Sequence, residues 1–175
     1  MSNAVQMLQD DHQRVKGLFE EFKHAPQGDK RRIVKTVLTE LEIHAKIEEE
    51  VFYPTVRLRI KDHELMDEAD EEHRVVEHLL LELKGMKPGD SYYDAKFTVL
   101  AENVTHHIQE EESEMFPKAA SSGLDLTELG ERMAQRKEQL MERAQSDPSD
   151  GNGASQVRVQ TRKRGRGLQR AEKKR

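Results

Sequence analysis

Hydrophobic residues recur at helical spacing along most of the chain, and polar residues fill the positions between them. Apolar residues three and four apart lie on one face of a helix, so each such stripe predicts an amphipathic helix. Turn residues separate the stripes, as in the segment His24-Ala-Pro-Gln-Gly-Asp29. The pattern predicts long helices at about 4–23, 33–53, 62–83 and 92–115, and a shorter, charged helix at about 125–145.

Two prolines lie at the ends of the second and fourth stripes. Proline lacks an amide donor and clashes with the preceding helical turn, so we expect Pro54 to kink or end the second helix and the fourth to stop before Pro117. No alternating strand pattern is visible in the sequence. Four long helices joined by short loops predict an all-α fold, an up-down-up-down four-helix bundle with a short extra C-terminal helix.

Charge divides the chain into an acidic body and a basic end. Residues 157–175 carry nine Lys or Arg and one acid, for a net charge of +8, so residues 1–156 account for −13 of the total of −5. We expect a bundle at 1–120, an accessory helix at 121–146, and a linker with a basic disordered tail at 147–175. The 157–175 segment is interpreted as a solubilising extension or as a weak nucleic-acid or anionic-surface binder.

Composition restricts the chemistry that the chain can carry. It contains no cysteine, which excludes disulfides, thiolate metal sites and cysteine nucleophiles. Because thiolates are excluded, any metal site must use nitrogen and oxygen ligands.

Residues 1–20 lack the pattern of a secretory signal, and no stretch approaches the ~18 apolar residues of a membrane span, so we expect a cytoplasmic protein.

The two halves of the chain contain the same motif. Each half has an acid followed by histidine, then His-x3-Glu, then an aromatic residue and proline. The matched histidines are 61 and 63 residues apart, which indicates an internal duplication of a helical hairpin. The motif residues are Asp11-His12, His44-x3-Glu48 and Phe52-Tyr-Pro54 in the first half, and Glu72-His73, His107-x3-Glu111 and Phe116-Pro117 in the second.

Helix geometry predicts that the duplicated residues meet. Residues i and i+4 lie one turn apart on a single helix face, so each His-x3-Glu pair can point inward together. Imidazole and carboxylate ligands suit iron or manganese, and helical bundles hold such ions between facing helices. A buried glutamate also needs a compensating cation. The predicted ligands are His12, His44, Glu48, His73, His107 and Glu111.

Three further residues leave alternatives open. Glu77 lies four residues after His73. It either forms a salt bridge beside the site or acts as an additional ligand or proton acceptor. Tyr53 beside Pro54 either packs in the core or serves as a phenolate ligand or redox-active group. His106 competes with His107 for the inward position, although the duplication favours His107.

Over about residues 4–118, these motifs resemble the hemerythrin-like, or HHE cation-binding, family. The resemblance implies two iron ions joined by an oxo or hydroxo bridge, with the four histidines as terminal ligands and Glu48 and Glu111 as bridging carboxylates. Oxygen-carrying members have a histidine at the position of Glu77, and their last carboxylate is an aspartate five residues after its histidine. These departures disfavour reversible oxygen carriage.

The resulting functional hypothesis is a di-iron protein that binds and reacts with a small oxidant. Hydrogen peroxide, O2 and nitric oxide are the candidate ligands, with a role in oxidative or nitrosative stress defence and a catalase-like reaction as the candidate activity. The alternative is a non-enzymatic iron or oxygen sensor, or an O2-binding protein, in which metal occupancy changes the fold or surface.

Overall fold

Seven α-helical and two π-helical segments make up most of the part of the chain that the structure describes. The computed structural model describes residues 3–146. α1 begins after Asn3, whose side chain accepts a hydrogen bond from the Gln6 N–H at 2.9 Å, as an N-cap does. The segments are α1 Ala4–His24, α2 Gln27–Ile47, π1 Glu48–Phe52, α3 Tyr53–Arg57, α4 His63–Lys84, α5 Tyr93–Glu110, π2 Glu111–Met115, α6 Phe116–Ser121 and α7 Leu126–Ser146.

These segments form five helical rods, because α2, π1 and α3 run on without a break, as do α5, π2 and α6. α1 packs against α2 and α5, and α4 packs against the same two helices, which closes a four-membered ring. Short connections make successive rods antiparallel. α7 lies outside the ring against α1 and α2. The all-α bundle predicted from the sequence is confirmed, and residues 3–146 contain no strand.

A polar layer divides the hydrophobic core into two clusters. One cluster lies around Leu8, Phe52 and Met66 and includes Met133 of α7. The other lies around Phe19, Val37, Leu80 and Phe97. On α1, His12 falls between Leu8 of the first cluster and Val15 of the second, and on α4 His73 falls between Ala69 and Val76 in the same way. The bundle therefore buries the predicted ligands in its middle with apolar packing above and below them.

The expectation that the fourth helix stops before Pro117 is wrong, and the second helix likewise continues past Pro54. In both rods a π-helical segment comes immediately before the aromatic-Pro pair. The amides of Tyr53 and Phe116 donate to the carbonyls five residues back, at Glu48 and Glu111. We attribute the continuation to this wider turn, which gives the proline ring room that an α-helical turn would deny.

The basic tail and the linker predicted at 147–175 lie outside the described residues. The accessory helix predicted at about 125–145 is observed at Leu126–Ser146. None of the helices within residues 3–146 combines the length and apolar character needed to cross a bilayer.

Candidate metal centre

Four histidines from four helices meet in the polar layer. His12, His73 and His107 are buried, and the side chain of His44 is 11% exposed. Their Nε2 atoms face each other in pairs, His12 with His44 at 3.2 Å and His73 with His107 at 3.1 Å. The first pair joins α1 to α2, and the second joins α4 to α5. The structure thus brings together the four histidines that the duplication predicts.

Two buried carboxylates connect the histidine pairs. Glu48 Oε1 lies 3.2 Å from His44 Nε2, and its Oε2 lies 3.4 Å from His73 Nε2. Glu111 Oε2 lies 3.3 Å from His12 Nε2 and 3.5 Å from His107 Nε2. Each glutamate therefore reaches both pairs, which is the arrangement expected of a carboxylate shared by two ions.

The outward-facing ring nitrogens have acidic partners. The Nδ1 atoms of His12, His73 and His107 lie 2.7–2.9 Å from a carboxylate oxygen, and His44 Nδ1 lies 3.6 Å from one. An Nδ1–H that donates to a carboxylate leaves the Nε2 lone pair free to bind a metal. The partners of His12, His44, His73 and His107 are Glu112, Asp11, Glu49 and Glu72, respectively.

The six inward-facing side chains fit a cation by their chemistry. Both carboxylate oxygens of Glu48 and Oε2 of Glu111 are buried without a hydrogen bond, although imidazole nitrogens lie close by. A buried carboxylate without a partner is costly, so these oxygens require a positive charge. Two nitrogen ligands bound at about 2.1 Å and at right angles lie about 3.0 Å apart. The spacing of the Nε2 pairs matches that value.

The six residues form two overlapping sets. His12, His44, Glu48 and Glu111 form the first, and Glu48, His73 and His107 form the second, each with ligand atoms within 4.8 Å of one another. Glu48 belongs to both sets. We call the space beside the His12–His44 pair the first position and the space beside the His73–His107 pair the second position.

The electrostatics of the side chains favour positive charge at the centre of the site. Burial alone would lower the pKa of His44, but the attraction of Glu48 and the contact with Asp11 raise it to about 10. Burial likewise opposes charge on His73, whose contacts with Glu48 and Glu49 raise its pKa to about 10. Burial would raise the pKa of Glu48, yet His44 and His73 hold it well below its usual value.

Tyr53 points into the second position. Its hydroxyl lies 3.1 Å from His73 Nε2 and 3.2 Å from His107 Nε2, and it donates to Glu111 Oε1 at 3.0 Å. Burial and the charges of Glu111 and Glu48 raise the pKa of the phenol well above its usual value, so it keeps its proton. The π1 segment explains the orientation. Residues 48 and 53 would lie ~140° apart on an α-helix, whereas a turn closed over five residues brings them to one side.

The matching position in the second half carries a phenylalanine. The ring of Phe116 stacks on the His12 imidazole, with centroids 5.8 Å apart and an interplanar angle of 9°. Phe116 follows π2 as Tyr53 follows π1. The duplicated turn therefore places a hydroxyl beside the His73–His107 pair and an apolar ring beside His12.

The remaining candidate residues lie away from this cluster. His106 is 63% exposed, and its Nε2 lies 3.2 Å from Glu110 and 3.5 Å from Glu72. His107, and not His106, is therefore the histidine that points into the site. Glu77 is exposed and lies in the wall of a cavity that leads to the histidines, outside both ligand sets. Sequence reasoning placed Asp11 and Glu72 in the duplicated motif without assigning them a role, and it did not single out Glu49 and Glu112. Their signal was present, because each one directly precedes or follows a predicted ligand.

Helix α7 contacts the site through an ion pair. Lys137 Nζ lies 2.6 Å from Asp11 Oδ2, and Asp11 in turn faces His44. Burial alone would raise the pKa of Asp11, but its contacts with His44 and Lys137 lower it. Lys137 therefore keeps Asp11 ionised and oriented toward the imidazole.

Replacing Lys137 by methionine is expected to weaken metal binding several-fold. The effect should fall below the ~10–100-fold loss typical of a direct outer partner, because Lys137 acts through Asp11. Competition with a chromophoric chelator measures the affinity. Arg136→Met is the matched control, since Arg136 precedes Lys137 on α7 and pairs with Glu50 at the surface. Equal affinities for the two variants would contradict a role for Lys137 in positioning Asp11.

The comparison with known families agrees with this geometry. The sequence profile of the hemerythrin HHE cation binding domain matches residues 3–119, a range that contains all six inward-facing residues. The chain belongs to the hemerythrin HHE cation-binding family.

Relatives and a solved structure show how far the similarity extends. The uncharacterized protein Rv2633c of Mycobacterium tuberculosis H37Rv is 33% identical over 146 residues, which are 79% of this chain and 87% of that protein. A DNA nickase of Nostoc sp. is 30% identical over 118 residues, covering 65% of this chain but 32% of the nickase. The crystal structure of an HHE domain protein from Mycobacterium kansasii, an Rv2633c homolog, has a TM-score of 0.71 and 31% identity, covering 83% of this chain and 91% of that one.

Proposed function

We propose that this protein holds two iron ions in its bundle and reacts with a small oxidant, hydrogen peroxide or O2, in defence against oxidative or nitrosative stress. The observation that supports the proposal is the pair of facing His–His sets joined by Glu48 and Glu111. Imidazole and carboxylate donors suit iron, and carboxylates that reach both sets suit two ions held side by side. In this proposal the terminal ligands are His12, His44, His73 and His107.

Access and proton supply favour reaction over simple storage of metal. A cavity in the bundle wall reaches His44, His73 and His107, so a small molecule can approach the site from solvent. Tyr53 offers a protonated hydroxyl inside the apolar core at the second position. A store for iron needs a path to its ligands but has no need of a protonated hydroxyl beside them.

The chain's own residues divide the work of the proposed reaction. When bound, an iron pair supplies two electrons to one peroxide and takes two from another, which gives O2 and water overall. Tyr53 Oη holds a proton within hydrogen-bond range of Glu111 and can donate a hydrogen bond to a bound oxidant. The buried rings of Phe52 and Phe116 exclude water from the side of the site that faces away from the cavity. Glu77, in the cavity wall, serves as the proton acceptor on the solvent side rather than as a ligand.

Release of O2 from hydrogen peroxide by the iron-loaded protein tests the proposal. We expect sustained O2 evolution at an oxygen electrode and two irons per chain by elemental analysis. His73→Ala is expected to lose iron and, with it, the activity, because it removes an imidazole from the second set.

His78→Ala is the matched control for that experiment. His78 lies on the same helix and is 73% exposed, so its loss should leave both iron content and O2 evolution unchanged. Undiminished O2 release from iron-depleted His73→Ala would contradict the proposed centre. Full iron content without any peroxide consumption would contradict the proposed reaction.

A further inference from the structure

A long cavity follows the seam between α2 and α4. Its volume is about 680 Å³, and it ends at His44, His73 and His107. The lining residues on α2 extend from Arg32 to Lys46. At ~1.5 Å of rise per residue, that stretch of helix is about 21 Å long. A water molecule occupies only ~30 Å³ in the liquid, so the cavity is far larger than hydrogen peroxide or O2 requires.

Apolar side chains form the floor of this α2–α4 cavity. They come from four helices and are all buried: Val15, Leu41, Val76, Leu80, Val104 and Ile108. Volumes of 300–1,000 Å³ with mostly apolar walls are typical of pockets for organic ligands. A chain of apolar groups laid on this floor would contact carbon along its whole length before it reached the histidines.

Charged residues at the cavity's outer edge neutralise one another. Arg32 pairs with Glu21, Arg14 with Glu40 and Lys84 with Glu42. An edge built of internal ion pairs gives no strong preference for an anionic or a cationic ligand. An apolar floor with such an edge suits a ligand whose contacts are mainly apolar along its length.

We infer that the α2–α4 cavity binds the unbranched alkyl chain of an organic hydroperoxide, with the O–O group at the histidine end. This inference rests on the proposed function, since the iron centre supplies the chemistry at that end. In the reaction, the O–O bond breaks and an alcohol and one water form. The step consumes two protons and two electrons, which a bound iron pair would transfer. One hydrogen peroxide, oxidised to O2 as in the proposed function, would return two protons and two electrons, so that overall ROOH and H2O2 give ROH, H2O and O2.

Binding of 1-dodecanol to the iron-loaded protein tests the inference without turnover, since this alcohol is the product analogue of the hydroperoxide. Calorimetry is expected to show one saturable site per chain. Burial of each added methylene group contributes about 0.8 kcal/mol of transfer free energy. The affinity should therefore rise up to about fourfold per carbon from 1-hexanol to 1-dodecanol. Affinity independent of chain length would overturn the inference.

A matched pair of threonine substitutions locates the site. Thr36 lines the cavity, whereas Thr98 is exposed on α5, and each donates its hydroxyl to the carbonyl four residues back at 3.0 Å. Thr36→Trp is expected to weaken 1-dodecanol binding at least tenfold by filling the cavity, and Thr98→Trp should leave it unchanged. Thr39→Trp, one turn further along the same wall, supplies a second plug if Thr36→Trp is poorly folded. Equal binding by plug and control variants would overturn the assignment.

The failure of this inference and that of the proposed function give different results. If hydrogen peroxide is consumed but 1-dodecanol does not bind, the alkyl site is overturned and the peroxide function stands. If 1-dodecanol binds as expected but dodecyl hydroperoxide is not reduced while hydrogen peroxide is, the substrate class is overturned. If neither peroxide is consumed, the proposed function fails, and chain-length-dependent binding alone supports the alkyl site.

Discussion

Replacing Glu48 by glutamine is expected to remove the metal of the proposed di-iron centre. Glu48 is fully buried, and its two oxygens face His44 and His73, one from each histidine pair. Glutamine keeps the shape of the side chain but removes the negative charge that would offset the proposed cations. It also replaces one of the two ligand oxygens by an amide nitrogen. Loss of outer partners costs ~10–100-fold in metal affinity, so loss of a shared inner ligand should exceed ~100-fold. Elemental analysis and chelator competition measure the loss.

Glu50→Gln is the matched control for Glu48→Gln. Glu50 lies in the same π1 segment but is exposed and pairs with Arg136 of α7. Its substitution should leave the metal content intact, because an exposed ion pair contributes little to stability. A Glu48→Gln protein that retained two ions with unchanged affinity would show that this carboxylate is not shared by the two positions.

Stability of the metal-free protein is expected to fall as pH rises from about 6.5 to about 10. Both limits come from His44 and His73, whose pKa is raised from 6.5 to about 10 in the folded chain. A group with a raised folded pKa contributes stability that is complete below its unfolded pKa and is lost as pH climbs through the folded one. Urea denaturation of chelator-treated protein between pH 6 and pH 10 measures the decline.

Metal binding should show the opposite dependence on pH. A metal must displace the protons held by His44 and His73, so affinity rises through the same window as those protons are lost. At pH 8 we expect proton release to approach two per chain, measured by calorimetry in buffers of different ionisation enthalpy. Stability of the metal-free protein that increased toward pH 10, or metal binding without proton release, would contradict this account.

Periodicity and duplication were sufficient to predict the bundle and the residues that meet in its centre. His-x3-Glu places two side chains one turn apart on any α-helix, so the inward direction of Glu48 and Glu111 follows from spacing alone. Matching the halves also distinguished His107 from His106, since only His107 has a counterpart in His44. These inferences needed only local geometry and one repeat.

The turns before the prolines could not be predicted in the same way. Helical periodicity assumes 3.6 residues per turn, so a segment with bonds over five residues looks like a break in the stripe. In the sequence, the only sign of the first of these turns is the run of three consecutive apolar residues, Val51, Phe52 and Tyr53, all of which are buried in the structure. The orientation of Tyr53 depends on this turn, so helical spacing alone favoured core packing over a place at the centre of the site.

The exchange of tyrosine for phenylalanine between the halves has a consequence for how the site fills and reacts. An exact repeat of a hairpin would give two equivalent positions for an ion. By symmetry, the ions at those positions would bind and be oxidised together. The hydroxyl of Tyr53, which Phe116 lacks, is one difference that removes this equivalence. In the proposed di-iron centre, the two ions should therefore differ in spectrum and in order of binding, and Tyr53→Phe should make them more alike.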